Sequence, residues 1–114
     1  MDTFLTAYRA WTQAPFPVGS EIDELNDVHG DLHVVDEWVL AAVYPFAEHR
    51  TVAPLRVDID GGLSRLRSRI TALRRNLSGP AAKRADDYLA YLDLTAAVYS
   101  EFVKAAAGIG SRPQ

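Results

Sequence analysis

The residues of this chain best placed for chemistry are His29, His33 and Asp36, within the run His29-Gly30-Asp31-Leu32-His33-Val34-Val35-Asp36. Spacings of four and three put two imidazoles and a carboxylate on adjoining parts of one helix face. Such a set can hold a divalent metal such as Zn, Fe, Ni or Mn. A helical bundle could complete the site with an oxygen from another helix, and Asp86, Asp87, Asp93 and Glu101 are available. Against this, the di-iron signature Glu-x-x-His does not occur, and neither does His-Glu-x-x-His. The ordinary reading of two histidines at the edge of an apolar stripe is a pair of surface side chains. No cofactor is therefore expected, with a divalent metal as the alternative.

Other chemistries find less. Asp58-Ile59-Asp60-Gly61-Gly62 resembles the start of a calcium loop. However, Leu63 stands where that loop needs glycine and Arg69 where it needs a bidentate glutamate, so helix capping is the better account of those aspartates. Without cysteine there is no thiol nucleophile, zinc-thiolate set or disulfide framework. The Gly-x-Ser-x-Gly elbow, the P-loop and the dinucleotide fingerprint are absent too.

The elements that would position these residues are legible. Leu25, Val28, Leu32, Val35, Val39, Ala42 and Phe46 follow a 3-4-3-4 spacing, as do Ile59, Leu63, Leu66, Ile70, Leu73 and Leu77. A third series runs Ala85, Leu89, Leu92, Ala96, Tyr99, Val103 and Ala106. Each places one apolar stripe along a helix, and each stripe needs a partner surface. A shorter amphipathic helix over 2–13, capped by Asp2 or Thr3, buries Phe4, Leu5, Tyr8 and Trp11. The expected fold is all-α: a four-helix, up-down-up-down antiparallel bundle of one short and three long helices.

Breaks and caps divide the chain. Pro15, Pro17 and Gly19 end the first helix, and the apolar Phe16 and Val18 predict a loop that packs down. Ser20 is the expected cap of the second helix, which runs to about Tyr44 and kinks or ends at Pro45, with a continuation to Glu48 allowed. The third starts at Pro54 or, because Gly61 and Gly62 are costly inside a helix, near Asp60. Ser78-Gly79-Pro80 separates it from the fourth, which reaches about Ala107 before a frayed tail over 108–114.

At 114 residues, 48% hydrophobic and 24% charged, the chain reads as a single domain, 1–114. A net charge of −3 gives no general attraction to nucleic acid or anionic membrane. No signal peptide or bilayer-spanning run is present, so a cytoplasmic protein is expected. Ten of the twelve basic residues are arginine, a bias of the kind GC-rich bacterial genomes impose.

The second helix carries Glu21, Asp23, Glu24, Asp27, Asp31, Asp36 and Glu37, and the third carries Arg65, Arg67, Arg69, Arg74 and Arg75. The arginines split around the apolar stripe, which suits pairing with neighbouring helices better than a phosphate-gripping face. The acids of the second helix are their expected partners. From Trp38 to Phe46 the second helix is apolar on all sides, so its surplus surface needs cover from the first helix and the Phe16 loop or from another subunit. Val34, Trp38 and Ala41 form a second stripe there. The function expected is a non-enzymatic interaction or regulatory module that forms a homodimer through Val34, Trp38 and Ala41 or binds an unidentified protein partner; the alternative is a metal-binding bundle through His29, His33 and Asp36, as in a small metalloenzyme.

Overall fold

The apolar stripes fold as helices. The computed structural model describes residues 2–110 and consists of α1 (Thr3–Gln13), α2 (Asp23–His49), α3 (Ile59–Arg74) and α4 (Gly79–Gly110), with no strand among the described residues. The tail expected to fray from 108 is helical to Gly110, and 111–114 lie outside the described residues. No helix is long and apolar enough to cross a membrane among the described residues.

Local chemistry sets most of the boundaries. Asp2 caps α1 by accepting the Leu5 N–H at 3.1 Å, and Asp58 caps α3 by accepting the Gly61 N–H at 2.9 Å. The third helix therefore starts at Ile59, leaving Pro54 outside it. Ser20 is not the cap of α2, a place taken by Ile22 without a side-chain bond; the Ser20 Oγ accepts the Ile22 N–H, while Asn26 Oδ1 takes the Ser20 N–H. Pro45 does not end α2, which continues to His49. The carbonyl that loses its partner to the proline ring is that of Ala41, on the exposed side, where water can replace the missing N–H. The helix stops at Arg50, in the left-handed conformation with φ 52°. The Arg50 guanidinium lies 4.9 Å from the Phe46 ring centre and donates to Asp2 Oδ2 at 2.8 Å, which ties α1 to the end of α2.

Antiparallel pairing follows from the cross-helix contacts. Phe4 meets Phe46 and Phe102, whereas Trp11, at the other end of α1, meets Asp36 and Thr95. On the opposite flank, Arg67 pairs with Asp93 and Arg74 with Asp86, so α3 runs against α4. The bundle is up-down-up-down as expected, but flattened. The parallel helices α2 and α4 touch directly, and α1 and α3 lie on opposite flanks without meeting. The body measures 55 × 27 × 18 Å, its thinnest dimension about two helix diameters.

The stripe of α2 is buried along its whole length, and Ile59, Leu63, Leu66 and Ile70 are buried in α3. Helix α4 departs from expectation. Its buried line is Ala85, Tyr88, Leu92, Thr95, Val98 and Phe102, while Val103 is 43% exposed and Leu89 and Tyr99 sit at the margin. The face is turned by roughly 60° from the expected series at 100° per residue. Because α4 packs against all three other helices, its core arc centres between them rather than on the alanine-rich side.

Residues 14–19 complete the fold as a strap. Trp11 stands beside Thr95, Phe16 meets Tyr91 edge to face with centres 5.0 Å apart, and Tyr88 donates to the Val18 carbonyl at 2.9 Å. Arg84 reaches the Gly19 carbonyl. The strap therefore runs down α4 where α1 stops, and the fourth layer is half helix and half extended chain. The loop packs down through Phe16, as expected, but Val18 is 64% exposed and only its backbone is held.

Candidate functional site

Three regions hold the residues singled out from sequence. The first is the histidine face of α2. His29 Nε2 lies 2.9 Å from the Pro17 carbonyl, a contact that makes this nitrogen the N–H donor. The His33 ring packs 4.4 Å from Phe16, centre to centre, and its Nδ1 is 4.0 Å from Glu37 Oε1. Phe16 contacts both imidazoles, 5.4 Å from His29, and the two imidazole centres are 6.2 Å apart. Asp36 turns away from them toward α1 and α4. The expected metal set is thus not brought together, and among the described residues no group of three or more His, Asp or Glu side chains could hold an ion. The reserve oxygens are engaged elsewhere: Asp86 by Arg74, Asp87 by Lys83, Asp93 by Arg67, and Glu101 by Thr3 and Lys104. Helical spacing placed the three residues on one side, but a loop aromatic and tertiary hydrogen bonds then divided them.

The second region is where Asp36 went. Its Oδ1 accepts the Tyr91 hydroxyl at 2.7 Å and the Trp11 indole N–H at 3.1 Å. The same indole N–H lies 3.1 Å from Thr95 Oγ1, and the Thr95 hydroxyl donates to the Tyr91 carbonyl at 2.9 Å. Trp11, Tyr91 and Thr95 are buried and Asp36 is half-buried. Burial pushes the Asp36 carboxyl above the ordinary aspartate range, opposed by the bonds from Tyr91 and Trp11 and by His33. Tyr91 is pushed up as well, by burial first and then by donating to a carboxylate. No buried side-chain nitrogen or oxygen lacks a partner among the described residues. This network ties α1, α2 and α4 together at mid-bundle. The sequence marked Asp36 for a different role and Trp11 as an inner-face residue of α1, but nothing joined the two, since Thr95 and Tyr91 lie off the expected stripe of α4.

The third region is the outward face of α2. Val34 is 47% exposed, Leu40 42% and Tyr44 50%, and Ala41 is exposed beside them. Trp38 is half-buried, because its ring lies over Gly62 of α3. With Val34, Val35, Leu66 and the stems of Arg65 and Arg69, it lines a groove of about 200 Å³ between α2 and α3. Val52, Leu55 and Val57, in the segment after α2, are exposed too.

The arginines of α3 are divided between two neighbours. Arg69 pairs with Asp31 of α2, but Arg67 and Arg74 pair with α4, and Arg65 lies 4.0 Å from Asp58 at the start of its own helix. The expectation that they face α2 holds for Arg69 alone among these pairs. The split around the stripe, visible in sequence, arises because α3 lies in the valley between two helices. The chain matches no protein-family model, no curated protein and no solved structure.

Proposed function

We propose that this chain is a non-enzymatic interaction module that self-associates as a homodimer through the outward face of α2. The observation that carries this reading is what remains uncovered after the chain has folded. α1 covers the Phe46 side of the apolar helix, the strap covers the histidine side, and Gly62 seats Trp38. Val34 and Ala41 are left in solvent on one side of the exposed Glu37 and Glu48, and Tyr44 and Leu40 on the other. An apolar, aromatic-bearing patch on a small protein is the usual mark of a protein contact surface. The polar groups with chemical capacity are occupied in holding helices together, and His29, His33 and Asp36 lend no support to a metal site. Trp38 belongs at the rim of the proposed interface, since part of its ring already packs within the chain.

The test is assembly of the double variant Val34→Asp/Tyr44→Lys, followed by sedimentation velocity. The wild type should sediment as a dimer at micromolar concentration, and the variant as a helical monomer. An unchanged dimer in the variant would remove this face from the account.

A further inference from the structure

The strap is held in a way that speaks for a ligand. Ala14, where α1 ends, has φ −75° and ψ 134°, the values of polyproline II, and the rings of Pro15 and Pro17 fix φ near the same value. From Phe16 to Gly19 the strap advances three residues while its contacts move from Tyr91 to Arg84 on α4. Three residues of polyproline II span about 9 Å and seven residues of helix about 10 Å, so a strap of this length can follow α4 over that distance. Its carbonyls at Pro17, Val18 and Gly19 are taken in turn by side chains: His29 Nε2, the buried Tyr88 hydroxyl and Arg84. Its aromatic side chain, the half-buried Phe16, lies among His29, His33 and Tyr91. A groove of about 420 Å³ continues along the strap past Ala90 and Leu94.

Proteins capture extended proline-rich peptides in aromatic-lined grooves with polar side chains on the peptide backbone; here the prolines hold the backbone while the aromatic cradle takes the phenylalanine between them. The donors read backbone, and the cradle reads one aromatic ring. We infer that the α2–α4 groove is a receptor for an extended proline–aromatic–proline peptide of a partner protein, closed in cis by this chain's own Pro15-Phe16-Pro17. The occupant's chemistry is that of the segment seated there. A partner peptide must displace the strap, whose tether gives it a millimolar effective concentration. Binding is therefore weak until the strap is loosened. This site is separate from the outward face of α2 and does not depend on it.

The experiment adds a synthetic peptide with the sequence of residues 13–20 to the full-length chain, wild type and Phe16→Ala, and measures affinity by calorimetry. Emptying the aromatic cradle should tighten binding by about tenfold or more, because the occupied fraction of the site sets the apparent affinity. Tyr88→Phe in the Phe16→Ala background should weaken it again, and a peptide with alanine in place of phenylalanine should not bind. Equal affinity for both chains, or no binding to a Phe16→Ala chain that keeps its helical circular dichroism, overturns the proposal. So does a Phe16→Ala chain that forms dimers by exchanging arms and ignores the peptide. If Phe16→Ala unfolds, the wild type is titrated to about 10 mM peptide, above the effective concentration of the strap. Shifts of the His29, Tyr88 and Tyr91 resonances then support displacement, and their absence overturns it.

Discussion

Trp38 and Gly62 make one joint between α2 and α3: a methyl group on Gly62 would lie 3.1 Å from Trp38 Cζ3. The same methyl would stand 3.3 Å from Val35 Cγ2. Gly62 is thus buried by an indole that a side chain at this position would crowd. A glycine that weakens a helix by about 1 kcal/mol against alanine is offset here by the packing it admits.

Gly62→Val should destabilise the fold by about 1–3 kcal/mol through overpacking and shift Trp38 emission to the red. Chemical denaturation followed by fluorescence measures both. A variant as stable as the wild type with unchanged emission would mean that the indole does not rest there.

The rotation of α4 makes a sharp contrast between neighbours. Phe102→Ala should cost about 3–5 kcal/mol, since its ring packs on Phe4 and Phe46. Val103→Ala should stay within about 0.5 kcal/mol, as an exposed surface change does. Equal losses at the two positions would restore the stripe expected from sequence.

The α2 stripe was legible residue by residue and the α3 stripe as far as Ile70, with Leu73 half-buried and Leu77 beyond the end of the helix, because each of these helices shows one core-facing side. The α4 stripe was not, because α4 packs as fully on α1 as on α2 and α3, whereas α2 meets α1 only sparsely, and alanines and tyrosines do not show where so wide a buried arc is centred. The spacing of His29, His33 and Asp36 was read correctly as one side of a helix. Their separation depends on Phe16 and Trp11, which reach them from a loop and another helix, and helical periodicity carries no information about either.

Asp36 should impress its own pH dependence on stability. Its carboxyl titrates higher in the folded chain than unfolded, so the native state binds that proton more tightly. Its contribution is fully present below the ordinary aspartate range and is lost as pH rises through the folded value. Asp2 and Glu101, held low by hydrogen bonds from Arg50 and Thr3, have the opposite sign and lose their contribution as pH falls. The stability of Asp36→Asn relative to wild type should therefore increase as pH is raised from the ordinary aspartate range. Urea denaturation across that window measures the difference, and a flat one would contradict the burial of this carboxylate.

Arg67 should answer to α4 and not to α2. Arg67→Glu faces Asp93 and should lower stability by up to about 1 kcal/mol, less at high salt. Adding Asp93→Lys should restore the loss. Failure of that rescue would break the assignment of the pair.

The central claim, self-association through the outward face of α2, is tested most directly by sedimentation equilibrium of the wild-type chain over a concentration series. A monomer–dimer equilibrium with a micromolar Kd is predicted, and Trp38→Ala, at the rim of the face, should weaken it while the chain stays helical. A wild-type monomer persisting at several hundred micromolar, well above that range, would contradict the account.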